Sequence, residues 1–235
     1  MMRRWVAVVA PVLVITAACS SGGGEEERAQ TVEPTTTTAS PAATTTTTTV
    51  SLDPSTITQE QLQSTLLTLD DMPPGFSPMA SDPSDDSSLC DGHDPGSEVP
   101  ELLKTEAQFA QNPNTGPVIG SAAATYASED EAARFMEALL AGAQACPGPF
   151  PAPADDGTMI SIAPLSFDAY GDETIALRFT FEGGLLPVTA DVIYVRSGPA
   201  LFQIGEITTV GGADIEQLQA LVETQLERTD ALVGA

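Results

Sequence analysis

Residues 173–208 read ETIALRFTFEGGLLPVTADVIYVRSGPALFQIGEIT, and their reading decides the fold. Ile175, Leu177, Phe179 and Phe181 alternate with Ala176, Arg178, Thr180 and Glu182. That period of two marks a strand with one buried face. Val188 to Arg196 is apolar on both faces, which predicts a central strand covered on each side. Ser197-Gly198-Pro199 turns the chain, and Ala200 to Thr208 gives a further strand. Tight connections between successive strands favour an antiparallel sheet with helices laid on it.

Working outward, Met159 to Leu165 predicts another strand upstream. Before it, Ser128-x-x-Glu131 is a capping box, and three acids in the first turn complement the helix dipole. Ala132, Phe135, Met136, Leu139, Leu140 and Ala143 then form one apolar stripe of a helix ending near Cys146-Pro147. Lys104 to Gln111 and Val118 to Tyr126 flank the turn-rich run 112–117 and read as a hairpin with a wide loop. Gly120, Ala122 and Ala124 share one face, where small side chains would let a helix approach closely. Thr58-x-x-Gln61 is a further capping box, with Ile57 able to staple against Leu62. Leu62, Leu66 and Leu69 predict a helix to about Asp70, stopped by Pro73-Pro74-Gly75. Residues 75–100 read as loop. At the other end, Asp214 caps a last helix carrying Ile215, Leu218, Val222, Leu226 and Thr229 on one side. The expected fold is α+β: an antiparallel sheet of five to six strands with three main helices, forming one domain over residues 56–235.

The N-terminus has a different character. Arg3-Arg4, an apolar run from Trp5 to Ala18 and the small pair Ala17-Ala18 have the order of a secretory signal. The run is shorter than the roughly 20 apolar residues of a membrane span and contains Pro11. Ile15-Thr16-Ala17-Ala18-Cys19 resembles a bacterial lipobox, with Thr16 in the place usually held by Leu. Removal of residues 1–18 would leave Cys19 as an acylated N-terminus, anchored by chains such as palmitate on the outer face of the cell membrane. Stable anchoring takes two lipid signals, which multiple acylation would supply. Residues 19–55, with Gly22–Gly24, Glu25–Glu27, Thr35–Thr38 and Thr44–Thr49, cannot bury enough apolar surface to fold and read as a tether. Such Thr/Pro stalks are often O-glycosylated.

The full chain carries a net charge of −25, and removing Arg3 and Arg4 takes it to −27. That balance excludes nucleic acid, whose binding rests on Lys and Arg neutralising phosphates. It also excludes docking to anionic headgroups through basic patches. The cysteines are Cys19, Cys90 and Cys146. With Cys19 acylated, an even pair remains in an oxidising compartment, which predicts a Cys90–Cys146 disulfide.

Catalytic chemistry has little to work with. His93 is the only histidine, so a Ser-His-Asp arrangement would have to use it, yet no Gly-x-Ser-x-Gly elbow occurs. Asp82, Asp85, Asp86, Asp91 and Asp94 lack the spacing of a calcium loop. Asp172-Glu173 could split their pKa values for acid–base work, but beside Gly171 they read as turn residues. No catalytic residue, metal or cofactor is assigned, and a hydrolase is not expected. Phe179, Phe181 and Phe202 read first as core. Alternatively they line an apolar cleft whose polar end is Tyr194.

A resemblance rests on short motifs. These are Leu66-Leu67-Thr68-Leu69-Asp70-Asp71-Met72-Pro73-Pro74-Gly75-Phe76, Ala145-Cys146, Tyr170-Gly171-Asp172-Glu173-Thr174-Ile175-Ala176-Leu177-Arg178 and Val195-Arg196-Ser197-Gly198. With the lipobox and tether, the chain resembles actinobacterial lipoproteins related to the extracellular sensor domain of PknH-type Ser/Thr kinases. The resemblance implies an antiparallel sheet flanked by helices around a cleft, and a binding role. Members of the sensor group commonly carry two disulfides, and this chain has cysteines for one. The expected function is a lipid-anchored envelope protein whose sensor-like domain binds a ligand or an envelope protein. The alternative is a carrier of lipid or another hydrophobic ligand.

Overall fold

The computed structural model describes residues 53–80, 89–90, 93–112, 116–146, 148–152, 157–183, 187–209 and 211–234. Cys19, the signal and the Thr-rich tether lie outside the described residues, as do Asp82, Asp85, Asp86 and Asp91.

Among the described residues, eight strands form one antiparallel sheet. They are β1 (Ser77–Met79), β2 (Leu103–Ala110), β3 (Val118–Thr125), β4 (Phe150–Pro151), β5 (Met159–Pro164), β6 (Glu173–Glu182), β7 (Val188–Ser197) and β8 (Ala200–Thr208). Their spatial order is β1-β2-β3-β8-β7-β6-β5-β4, so β8 and β7 run through the centre. Four helices accompany them: α1 (Gln59–Gln63), α2 (Pro95–Glu98), α3 (Glu129–Ala145) and α4 (Ile215–Val233).

The count corrects the expectation of five to six strands and three helices. All six strands read from the sequence are present. The additions are β1, β4 and α2, each too short to show a period of its own. β1 carries Pro78 and β4 ends in Pro151, and each lies at an outer edge of the sheet. An edge strand tolerates proline because one side of its ladder is unused.

The first helix is also shorter than predicted. Its capping box forms: the Gln61 amide donates to Thr58 Oγ1 (3.2 Å) and the Thr58 amide to Gln61 Oε1 (2.8 Å). The Ser64 and Thr65 hydroxyls then donate to the Gln61 and Leu62 carbonyls. Such local bonds compete with helix continuation. The chain turns, Leu66 and Leu67 both become buried, and Leu69 is left 44% exposed.

Helix α3 follows its predicted stripe, with Ala132, Phe135, Met136, Leu139 and Ala143 buried. Leu140, at the margin of that stripe, is 37% exposed. The predicted caps Ser128 and Asp214 accept the amides of Glu131 and Gln217. Gly234, at φ 77°, closes α4 in the left-handed conformation that glycine adopts without a Cβ clash.

Two cores lie on opposite sides of the sheet. Under α1 and α4, Ile119, Ile193, Val195, Phe202 and Ile204 meet Leu62, Leu218, Leu221 and Val222. Under α3, Ile160, Leu177, Phe179, Val192 and Tyr194 meet Phe135, Met136 and Leu139. The expected Cys90–Cys146 disulfide ties the segment before α2 to the end of α3, with the Cα atoms 6.3 Å apart.

Candidate functional site

On the α3 side the helix rests mainly on β7 and β8, leaving the β2–β3 half of that face open. The result is a cleft of about 150 Å³. Gly120, Ala122 and Ala124 form its floor, while Leu89, Pro95, Phe135 and Leu139 wall one side. The small residues of β3 therefore do not receive a helix, as their sequence had suggested. They keep space beside one.

The register makes a straight row across the cleft. Glu106 on β2 faces Ala122 on β3, Ala122 faces Gln203 on β8, and Gln203 faces Tyr194 on β7. At roughly 4.8 Å between strands, Glu106 and Tyr194 are about 14 Å apart along the backbone. Ala122 is the low point between them. Tyr194 is 4% exposed and lines the cleft. Burial pushes its phenol well above the usual range. Glu106 Oε1 is enclosed and without a partner among the described residues. Lys104, the basic side chain of the lining, pairs with Glu101 at 3.9 Å. Near them the Tyr126 hydroxyl is buried with no partner among the described residues, and burial, followed by the Glu101 charge, raises its pKa.

The floor is held from behind. The Leu67 amide donates to Ser121 Oγ (3.1 Å), Ser121 Oγ donates to Gln225 Oε1 (2.9 Å), and Gln225 Nε2 donates to the Ala122 carbonyl (3.2 Å). Ser121 and Gln225 are both buried. This network fixes β3 against α4 directly beneath the cleft.

The four proposed binding residues do not meet at one place. Phe179 and Tyr194 lie on the α3 side, with Phe181 partly buried at the margin of the same core. Phe202 points to the α4 side and is fully buried there. Phe179 is likewise fully buried, so Tyr194 alone of the four lines the cleft. Sequence reading missed Glu106 and Gln203, whose alternation within β2 and β8 shows only which face they take.

The remaining candidates have structural partners. The His93 amide donates to the Cys90 carbonyl (3.0 Å), and its carbonyl accepts the Leu89 amide (2.8 Å). Asp94 Oδ1 caps α2 through the Ser97 amide. Asp172 Oδ2 accepts the Gly198 amide at 2.7 Å and pairs with Arg196 at 3.2 Å, while Glu173 meets Arg196 at 3.5 Å. These two acids secure the β7–β8 turn. Among the described residues, no group of three His, Cys, Asp or Glu is placed to hold a metal ion.

The α4 side carries a second polar row. Arg178, Asp191 and Glu206 follow one another across β6, β7 and β8. Arg178 Nε and Nη2 donate to Asp191 Oδ1 (2.6 Å) and Oδ2 (2.8 Å), and the Ala213 amide adds a third bond to Oδ2. Glu206 is 5% exposed. Burial first, then the charges of Asp191 and Asp214, push its carboxyl up to about 7, against a hydrogen bond from the Asp214 amide.

No protein-family model matches the chain, and no curated protein matches it in sequence. In fold it is similar to the extracellular domain of PknH from Mycobacterium tuberculosis. That likeness has a TM-score of 0.56 at 13% identity, over 75% of this chain and 96% of that domain. Identity this low shows the fold alone. The expected likeness to a sensor domain therefore holds as architecture. Among the described residues, no helix is long and apolar enough to cross a membrane.

Proposed function

We propose that the chain is an extracytoplasmic, lipid-anchored sensor-like protein that binds a small ligand in the cleft between α3 and β2–β3. The observation that carries this reading is Glu106. Its Oε1 is enclosed, belongs to a side chain that lines the cleft and has no partner among the described residues. Burying a polar group without a hydrogen bond costs roughly 1–3 kcal/mol in proteins. A ligand that supplies the missing bond recovers that cost. The fold likeness to an extracellular domain supports the compartment, as do the disulfide and the lipobox-like stretch ending at Cys19.

The proposed role is binding, and none of the acids or the histidine weighed above is put forward as catalytic. Asp172, Glu173 and Asp94 are engaged in turns and caps, and His93 joins a short backbone bridge. A carrier for whole lipids has no support in the volume. Drug-sized ligands already require about 300–1,000 Å³, against about 150 Å³ in the cleft.

Two measurements test the proposal. Cys19→Ala should move the exported protein from the detergent phase to the aqueous phase on Triton X-114 partition. An unchanged partition would remove the lipid anchor. A fragment screen followed by NMR mapping should place shifts at Ala122, Ala124 and Tyr194, and Ala122→Leu should abolish them. Binding that survives Ala122→Leu would place the ligand elsewhere.

A further inference from the structure

We infer that the cleft is built for a small organic cation: an amine on a short apolar or aromatic body. The inference rests on the cleft being a binding site and specifies what it takes. The cleft is about the size of the engineered 150 Å³ cavities that accept one benzene. Its walls suit such a body, since Phe135, Leu139, Leu89 and Leu201 are apolar and the floor has no side chain larger than a methyl group.

The polar groups set the sign of the charge. Lys104 is paired with Glu101, which leaves Glu106 as the uncompensated charge on the lining. Its Oε1 is enclosed and accepts nothing. A carboxylate can only accept hydrogen bonds, so the missing partner must be a donor. The Phe135 and Tyr194 rings add aromatic faces, which attract cations through their quadrupoles. Glu106, Ala122, Gln203 and Tyr194 stand in one register row. An amine over Ala122 would have Glu106 on one side and the amide and phenol on the other. The net charge of −25 further raises the local concentration of cations. An anion would face Glu106 directly, and a plain hydrocarbon would leave Glu106 Oε1 unpaired.

Three probes of similar shape separate the possibilities: benzylamine, benzyl alcohol and benzoate, titrated into the full processed chain by NMR. Benzylamine should bind at least about tenfold more tightly than benzyl alcohol, with shifts at Ala122 and Tyr194, and benzoate should not bind. Raised salt should weaken benzylamine alone. Glu106→Gln should lower benzylamine affinity to the level of benzyl alcohol. Glu227→Gln, which removes an exposed acid on α4, should keep the preference and so separate a local partner from the overall field. Equal or tighter binding of benzyl alcohol or benzoate in the cleft would overturn the choice of a cation and leave the cleft standing as a site. Failure of all three probes to bind would overturn both.

Discussion

Under α4 the sheet is closed. Ile193, Val195, Phe202 and Ile204 are covered by Leu218, Leu221 and Val222, and Arg178 holds Asp191 by two hydrogen bonds. Under α3 the closure is partial. The helix covers β7 and β8, while β3 offers glycine and alanine to an open cleft that Tyr194 lines, and Glu106 Oε1 is left without a partner among the described residues. One sheet thus carries a face closed by packing, where Arg178 and Asp191 satisfy each other although Glu206 Oε2 has no partner among the described residues, and a face left open beside the unpaired Glu106 Oε1. Natural folds tend to depart from internal consistency at functional sites. The closed face also supplies the support, since Gln225 of α4 bonds the carbonyl of Ala122 at the floor of the cleft.

Leu201 and Phe202 are sequence neighbours that point to opposite faces, and they give the largest test of this contrast. Phe202 is fully buried on the closed side, so Phe202→Ala should cost about 3–5 kcal/mol. Leu201 lines the cleft, where part of its surroundings is already empty, so Leu201→Ala should cost about 2 kcal/mol, the low end for such a change. Guanidinium unfolding measures both. A Leu201→Ala loss as large as that of Phe202→Ala would mean that the cleft face is packed as tightly as its opposite.

The disulfide comes next. It closes a separation of 56 residues, worth about 4 kcal/mol on the chain-entropy model. The Cys90→Ser/Cys146→Ser double variant should lose roughly 3–4 kcal/mol. Leu89 and Pro95, which wall the cleft, belong to the segment this bond fastens to α3. Hydrogen exchange should therefore rise around 89–99 and on α3 before it rises on α4. Uniform acceleration on both faces would show that the bond holds the whole domain and not one wall.

The strands of residues 173–208 were legible because burial of one face writes a period of two into the chain. Ile175, Leu177 and Phe179 carry it almost alone. The edge strand β1 was not legible because its pairing with Gln108–Ala110 is decided by β2, not by Ser-Pro-Met. Leu62, Leu66 and Leu69 suggested one helix, since their spacing fits. Nothing in that spacing shows that the hydroxyls of Ser64 and Thr65 would end it. The cleft was hidden for another reason. Gly120, Ala122 and Ala124 record low volume on one face, and only the resting place of α3 decides whether that volume becomes close packing or an opening.

On the closed face Glu206 is the group least at ease, and its titration offers a smaller effect. Its folded carboxyl titrates near 7, above the ordinary value of 4.5. Between these values the folded chain holds the proton more tightly than the unfolded chain. Stability from this group therefore falls as pH rises from about 4.5 to about 7, and then levels off. Glu206→Gln removes the charge while keeping the shape. It should raise the melting temperature by about 2–4 °C at pH 8, corresponding to roughly 1 kcal/mol, and leave it nearly unchanged at pH 4.5. A variant that destabilises at pH 8 would mean that the Asp214 amide bond to Glu206 outweighs its burial.

The smallest effect on stability tests the open face most directly. Tyr194→Phe removes one hydroxyl from a side chain that lines the cleft and is 4% exposed. Losing a bonded tyrosine hydroxyl costs about 1 kcal/mol, because the partner is abandoned and the exchange with water is lost. A hydroxyl held for a ligand has no partner in the fold to abandon. Tyr194→Phe should leave stability unchanged or raise it by less than about 1 kcal/mol, while weakening capture of a hydrogen-bonding fragment in the cleft. The two readouts must separate. A hydroxyl that serves the fold lowers the melting temperature when it is removed and affects binding only through unfolding. A hydroxyl kept for a ligand lowers affinity at constant or higher melting temperature. Loss of about 1 kcal/mol of stability with fragment affinity intact would mean that the phenol is satisfied within the protein, and the contrast between the two faces would fail at its central residue.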